Sequence, residues 1–139
     1  VDTMYEALGG DSFFRRLVSG FYQQVRKDDL IGPMYPEDDW DGAEDRLRWF
    51  LAQYWGGPTT YNEQRGAPML RRRHFPYPIG QAEAERWLEL MNRSLDQFTA
   101  DELNEEQRAA LVNHMERVAY MTINQPGDHP GLPTEKNLL

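Results

Sequence analysis

The chain has 139 residues, enough for one domain with its own hydrophobic core and no covalent staples. It contains no cysteine, which removes disulfides, thiolate metal sites and thiol catalysis, and which fits a reducing compartment. A formal charge of -8 opposes binding to nucleic acid or to anionic membrane, since both need a basic face. No apolar run approaches the roughly 18 residues of a membrane span. Residues 1–10 also lack the basic-then-apolar order of a signal peptide. The expectation is a soluble cytoplasmic protein, as a monomer or a homodimer.

The first helical stripe is Phe14, Leu17, Val18, Phe21, Tyr22 and Val25, with Asp11 or Ser12 as its cap after Gly9-Gly10. A second helix is predicted over about 40–55, with Ala43, Leu47, Phe50, Leu51 and Tyr54 inward and Asp41, Glu44, Asp45, Arg48 and Gln53 outward. Gly56-Gly57-Pro58 stops it. Residues 61–68 have no clean period and read as a loop that leads through a short turn of helix, 68–74, to breaks at Pro76 and Pro78. A third helix over about 81–98 carries Ala84, Trp87, Leu88, Met91, Leu95 and Phe98 on one side. The last helix opens with Asn104 as cap and Gln107 three residues on, and it turns Leu111, Met115, Val118, Ala119 and Thr122 inward. Residues 125–139 crowd Pro and Gly among polar side chains and are expected to be a flexible tail behind a domain over 1–124. With no repeat and no sustained alternation, the fold class is all-α.

Three histidines limit the choice of metal ligand. His74 stands in Arg71-Arg72-Arg73-His74-Phe75-Pro76-Tyr77, in the loop segment that follows the Gly-Gly break. His114 sits in the last helix and His129 in the tail, and neither has a setting that suggests a ligand.

The order of two long helices, a Gly-Gly break, a loop ending in an isolated His and two more long helices resembles a globin shortened to a two-over-two sandwich around a haem. The segments Tyr35-Pro36-Glu37-Asp38-Asp39, Phe50-Leu51-Ala52-Gln53-Tyr54-Trp55-Gly56-Gly57-Pro58, Gln64-Arg65-Gly66-Ala67-Pro68 and His74-Phe75-Pro76-Tyr77, together with Trp87, resemble the group II truncated haemoglobins. The resemblance covers roughly residues 5–124. It implies a haem b, iron protoporphyrin IX, with His74 as the proximal ligand to the metal. Neutral imidazole suits iron, and its second ring nitrogen is expected to donate to a backbone carbonyl or a water.

Residues 40–57 contain no histidine, so another group must supply any distal hydrogen bond. The resemblance places Tyr22, Tyr35 and Trp87 around the distal pocket, Ala43 where a distal histidine otherwise stands, and Leu47 one turn further on as the apolar neighbour of the iron. Tyr22 and Trp87 also lie on apolar stripes, where aromatic rings simply pack. For the propionates the candidates are Arg71, Arg72 and Arg73, then Arg46 and Tyr61; a solvated basic loop is the alternative for the arginines. Phe50, Leu51, Met69, Leu70, Phe75, Met91 and Met115 are apolar wall material.

The implied function is reversible binding of oxygen and other small ligands, with Tyr and Trp hydrogen bonds slowing their escape. Slow release favours scavenging or sensing over oxygen transport. A haem redox enzyme, a nitric oxide dioxygenase or a peroxidase-like activity, is the second class and needs an external reductase as electron source. The lack of a distal histidine as general base opposes an efficient peroxidase. A cofactor-free helical interaction module is the third class, and it gives His74 no purpose.

Overall fold

The computed structural model describes residues 3–125, and among these every regular element is helical. The elements are α1 (Met4–Ala7), α2 (Asp11–Val25), a 3-10 turn (Gly32–Met34), α3 (Trp40–Tyr54), α4 (Thr60–Arg65), α5 (Leu70–His74), α6 (Gln81–Leu95) and α7 (Glu105–Met121). The expected tail lies outside the described residues apart from Gln125.

The four long helices arise where apolar residues recur at the helical period. In α2 the stripe Phe14, Leu17, Phe21 and Val25 is fully buried, and each such side chain contributes about 1.5–3 kcal/mol by leaving water. Helix α2 packs on both α3 and α6, and α6 packs on α7, so two pairs of helices lie across one another. Leu51 from α3, Met91 and Leu95 from α6, and Leu111 and Met115 from α7 complete the core.

The α2–α6 crossing is close because Gly20 has no side chain. A Cβ there would lie 2.6 Å from Ser94 Oγ and 2.9 Å from Gln97 Nε2. Ser94 is itself buried and donates to the Leu17 carbonyl at 2.6 Å, so it has no room to retreat. Gln24 adds a bond from Nε2 to the Leu90 carbonyl at 2.9 Å.

Several boundaries differ from the sequence expectation. The cap of α2 is Gly10, at φ 74°, rather than Asp11 or Ser12; the Asp11 carboxylate instead pairs with Arg15 at 2.5 Å and with Arg48 at 3.2 Å. Residues 60–65 form α4 instead of a loop, and α6 ends at Leu95 rather than near Phe98. Tyr54, expected inward, is 51% exposed, because it lies flat on His114 at 3.5 Å between ring centroids. The capping box of Asn104 and Gln107 forms as the spacing predicts.

Candidate functional site

His74 is the last residue of α5, which begins at Met69 in the left-handed region, φ 45°. Its ring Nδ1 lies 2.7 Å from the Leu70 carbonyl, one helical turn back. A carbonyl can only accept, so Nδ1 carries the proton and Nε2 keeps its lone pair for a metal. The ring is half-buried, while Phe75 and Tyr77 beyond it are exposed.

Three further groups brace this segment. Arg73 donates from Nε to Pro68 O at 2.7 Å and from one terminal nitrogen to Arg65 O at 2.6 Å and Ala67 O at 3.3 Å. Its guanidinium also stands over the Tyr61 ring at 5.8 Å, and Tyr61 in turn meets Phe50 edge-on at 5.8 Å. Asn124, just past α7, donates from Nδ2 to the carbonyls of His74 and Tyr77 at 3.1 and 2.7 Å.

On the other side, α2, α3, α6 and the 3-10 turn bring Tyr22, Tyr35 and Trp87 together. Pro36 drives Tyr35 into extended backbone, φ -102° and ψ 139°, which ends the 3-10 turn. Tyr22 and Tyr35 meet edge-on at 5.5 Å, Phe21 packs edge-on to Trp87 at 5.2 Å, and Trp40 stacks on Tyr35 at 5.5 Å. The Tyr22 and Tyr35 hydroxyls also lie within electrostatic reach of each other, and the Trp87 indole within reach of Tyr35. Trp87 is donor only, so toward Tyr35 its indole N–H can only donate. Burial pushes Tyr35 up to about 12, and burial with the nearby Tyr35 pushes Tyr22 well above its ordinary value. Both phenols therefore keep their protons at neutral pH.

Asp28 fixes the chain between α2 and Tyr35. Its Oδ2 accepts from Leu30 N at 3.0 Å and Ile31 N at 2.9 Å, and its Oδ1 accepts from Arg86 at 2.5 Å. Burial pushes this carboxyl up, but the bonds from Ile31, Arg86 and Leu30 outweigh it and leave its pKa lowered. Ala43 is buried, and Leu47 and Phe50 are half-buried along α3. Of the basic candidates, Arg46 is paired with Asp39 at 2.8 Å, Arg73 is held by the three carbonyls, and Arg71 and Arg72 are exposed.

These residues fit a haem. One imidazole has a free ring nitrogen, a cluster of polar aromatics with Tyr22 buried and Tyr35 and Trp87 half-buried stands apart from it, and apolar side chains of α3 run alongside. Sequence reasoning missed Asp28, Trp40 and Asn124. It also left His114 undistinguished, although that ring is buried, stacks on Tyr54 and leaves Nδ1 without a partner.

The helices and the site define a two-over-two sandwich of the globin type. The bacterial-like globin family matches over residues 3–121, and the chain belongs to that family, which implies haem binding. The group 2 truncated hemoglobin YjbI of Bacillus subtilis is 38% identical over 121 residues, 87% of this chain and 88% of that protein. A thermostable hemoglobin from the actinobacterium Thermobifida fusca superposes with a TM-score of 0.83 at 48% identity, covering 89% of this chain and 98% of that one. The group II truncated hemoglobin of Bacillus anthracis gives 0.84 at 33% identity, with 94% and 97% covered. The expected fold class and the resemblance to group II are thus both met. Among the described residues no helix is long and apolar enough to cross a membrane.

Proposed function

We propose that this globin holds haem b through His74 Nε2 and retains oxygen, or a ligand of similar polarity, on the face lined by Tyr22, Tyr35, Trp87, Ala43 and Leu47. When bound, haem would supply an iron able to bind a small diatomic ligand. The observation that carries the reading is the meeting of three polar aromatics, with Tyr22 edge-on to Tyr35 at 5.5 Å and Trp87 within reach of Tyr35. Two phenol O–H groups and one indole N–H thus stand together as donors for a polar ligand.

A buried O–H without an acceptor is costly, and a partly negative ligand supplies one. Polar groups gathered in this way polarise one another, which strengthens each as a donor. Tyr22, Tyr35 and Trp87 together then supply the donors that retain the ligand. Ala43 is too small to obstruct the ligand, and Leu47 and Phe50 keep that side apolar. Arg71 and Arg72, exposed at the head of α5, are the cations most available to the propionates.

The test is the visible spectrum of the haem-reconstituted protein in its ferric, reduced and carbon monoxide-bound states. A stoichiometric haem whose Soret band sharpens and shifts with carbon monoxide is expected. Failure to take up haem overturns the reading and returns the helical interaction module. Nitrate formation from nitric oxide, driven over many turnovers by an added reductase, is the outcome that places the protein among redox enzymes instead.

A further inference from the structure

Asn124 is bonded to three residues of the segment that carries His74. Its Nδ2 donates to the His74 carbonyl at 3.1 Å and to the Tyr77 carbonyl at 2.7 Å, and its Oδ1 accepts from Ile79 N at 3.0 Å. Its backbone N–H adds a bond to Ile79 O at 2.8 Å, and the backbone of Gln125 adds another at 3.1 Å. One amide side chain thus spans residues 74–79 and fastens them to the end of α7.

The bonds add to what the local fold supplies. The His74 carbonyl, at the C-terminus of α5, already accepts from Tyr77 N at 3.0 Å and gains Asn124 as a second donor, while the Tyr77 carbonyl lies beyond the helix, where helical donors have run out. Helix α5 is only five residues long and leaves none of them fully buried, so burial does little to hold it. Its stability has to come from bonds to neighbouring elements. Arg73 fastens the start of the segment to residues 65–68, and Asn124 fastens its end.

We infer that Asn124 is a positioning residue for the proximal ligand: by holding the His74 and Tyr77 carbonyls it sets the orientation of the imidazole and the strength of its bond to the iron. The inference rests on the assignment of His74 above. The geometry of Asn124 predicts which of its groups matters. Nδ2 reaches His74 directly, whereas Oδ1 reaches Ile79, five residues further on. A carboxylate at this position keeps the second contact and loses the first.

The experiment compares wild type, Asn124→Asp and Asn124→Ala as haem-loaded proteins, with helical content checked by circular dichroism. The readouts are the iron–histidine stretching band of the reduced protein by resonance Raman and the rate of haem transfer to excess apomyoglobin. Both variants are expected to shift or broaden the band and to lose haem about tenfold faster, the effect of one or two lost hydrogen bonds. In the haem-free proteins, amide exchange at Ile79 is expected to rise in Asn124→Ala and to change less in Asn124→Asp. A lowered melting temperature with the wild-type band and wild-type haem loss in both variants overturns the inference and leaves Asn124 as a fold-stabilising residue only. A wild-type protein with no iron–histidine band at all overturns the His74 assignment first, and the positioning role with it.

Discussion

The two faces of the candidate haem site are built by opposite means. Tyr22 and Trp87 sit on 15-residue helices whose stripes are locked in the core, and they meet Tyr35 in an aromatic cluster in which Tyr22 is buried and the other two are half-buried. His74 sits on a five-residue helix between exposed side chains, and bonds from Arg73 and Asn124 to main-chain carbonyls hold its segment. One face is shaped by packing, the other by tethers. Changes in the packed face should therefore alter ligand retention while leaving haem in place, and changes in the tethered face should alter haem retention first.

The strongest break of that contrast is His74→Gly. Stoichiometric haem is expected to be lost and to return when free imidazole is added; a variant that keeps haem and an unchanged spectrum without imidazole rejects the ligand assignment. Next comes Tyr35→Phe, which keeps the ring and removes one of the three proposed distal donors. A lost bond to a partly charged acceptor, about 1.5–3 kcal/mol, corresponds to oxygen release faster by about 10- to 100-fold. Because the three groups form one network, Trp87→Phe added to Tyr35→Phe should change the rate by much less than it does in the wild type. Additive effects in stopped-flow traces count against the network.

His114 extends the comparison beyond the site. Burial, with a smaller contribution from Arg117, lowers its pKa to about 4. The unfolded chain takes up the proton near the ordinary value of 6.5, so this stability is complete above pH 6.5 and is lost as the pH falls towards 4. The size is on the order of 3 kcal/mol. His114→Phe keeps an aromatic ring against Tyr54 and should flatten the fall in urea-melt stability between pH 6.5 and 4.5. An equally steep fall in the variant removes His114 as a cause. Asp28→Ala is the mildest of the set, expected to cost about 1–3 kcal/mol by leaving two amides and Arg86 without their carboxylate. Its oxygen release should also quicken, since the turn carrying Tyr35 loosens; calorimetry together with release rates checks both.

The long helices were legible because each buries a stripe whose period survives in the sequence, Phe14 to Val25 being the clearest. Helix α4 was not, since Tyr61 is its one buried residue and a single apolar position has no period. Tyr54 misled for a related reason: its spacing places it inward, but its contact is with the face of His114 from outside the core. His74 stood out through rarity and through its resemblance to a known pattern. The distal trio drew on that resemblance as well, because the packing that joins residues 22, 35 and 87 depends on two turns with no sequence period. Asn124 bonds to residues 45–50 positions earlier, and a lone Asn after a helix gives no signal of such partners.

Gly20 bears on how such a pocket is tuned. It lies two residues before Tyr22, and Ser94, the residue it meets, lies two helical turns after Trp87. The missing methyl acts as the pivot of a pair of callipers whose tips are Tyr22 and Trp87. On the distal role proposed for those rings, Gly20→Ala is expected to open the tips without touching either one and to change the ligand-release rate from a position that never meets the ligand.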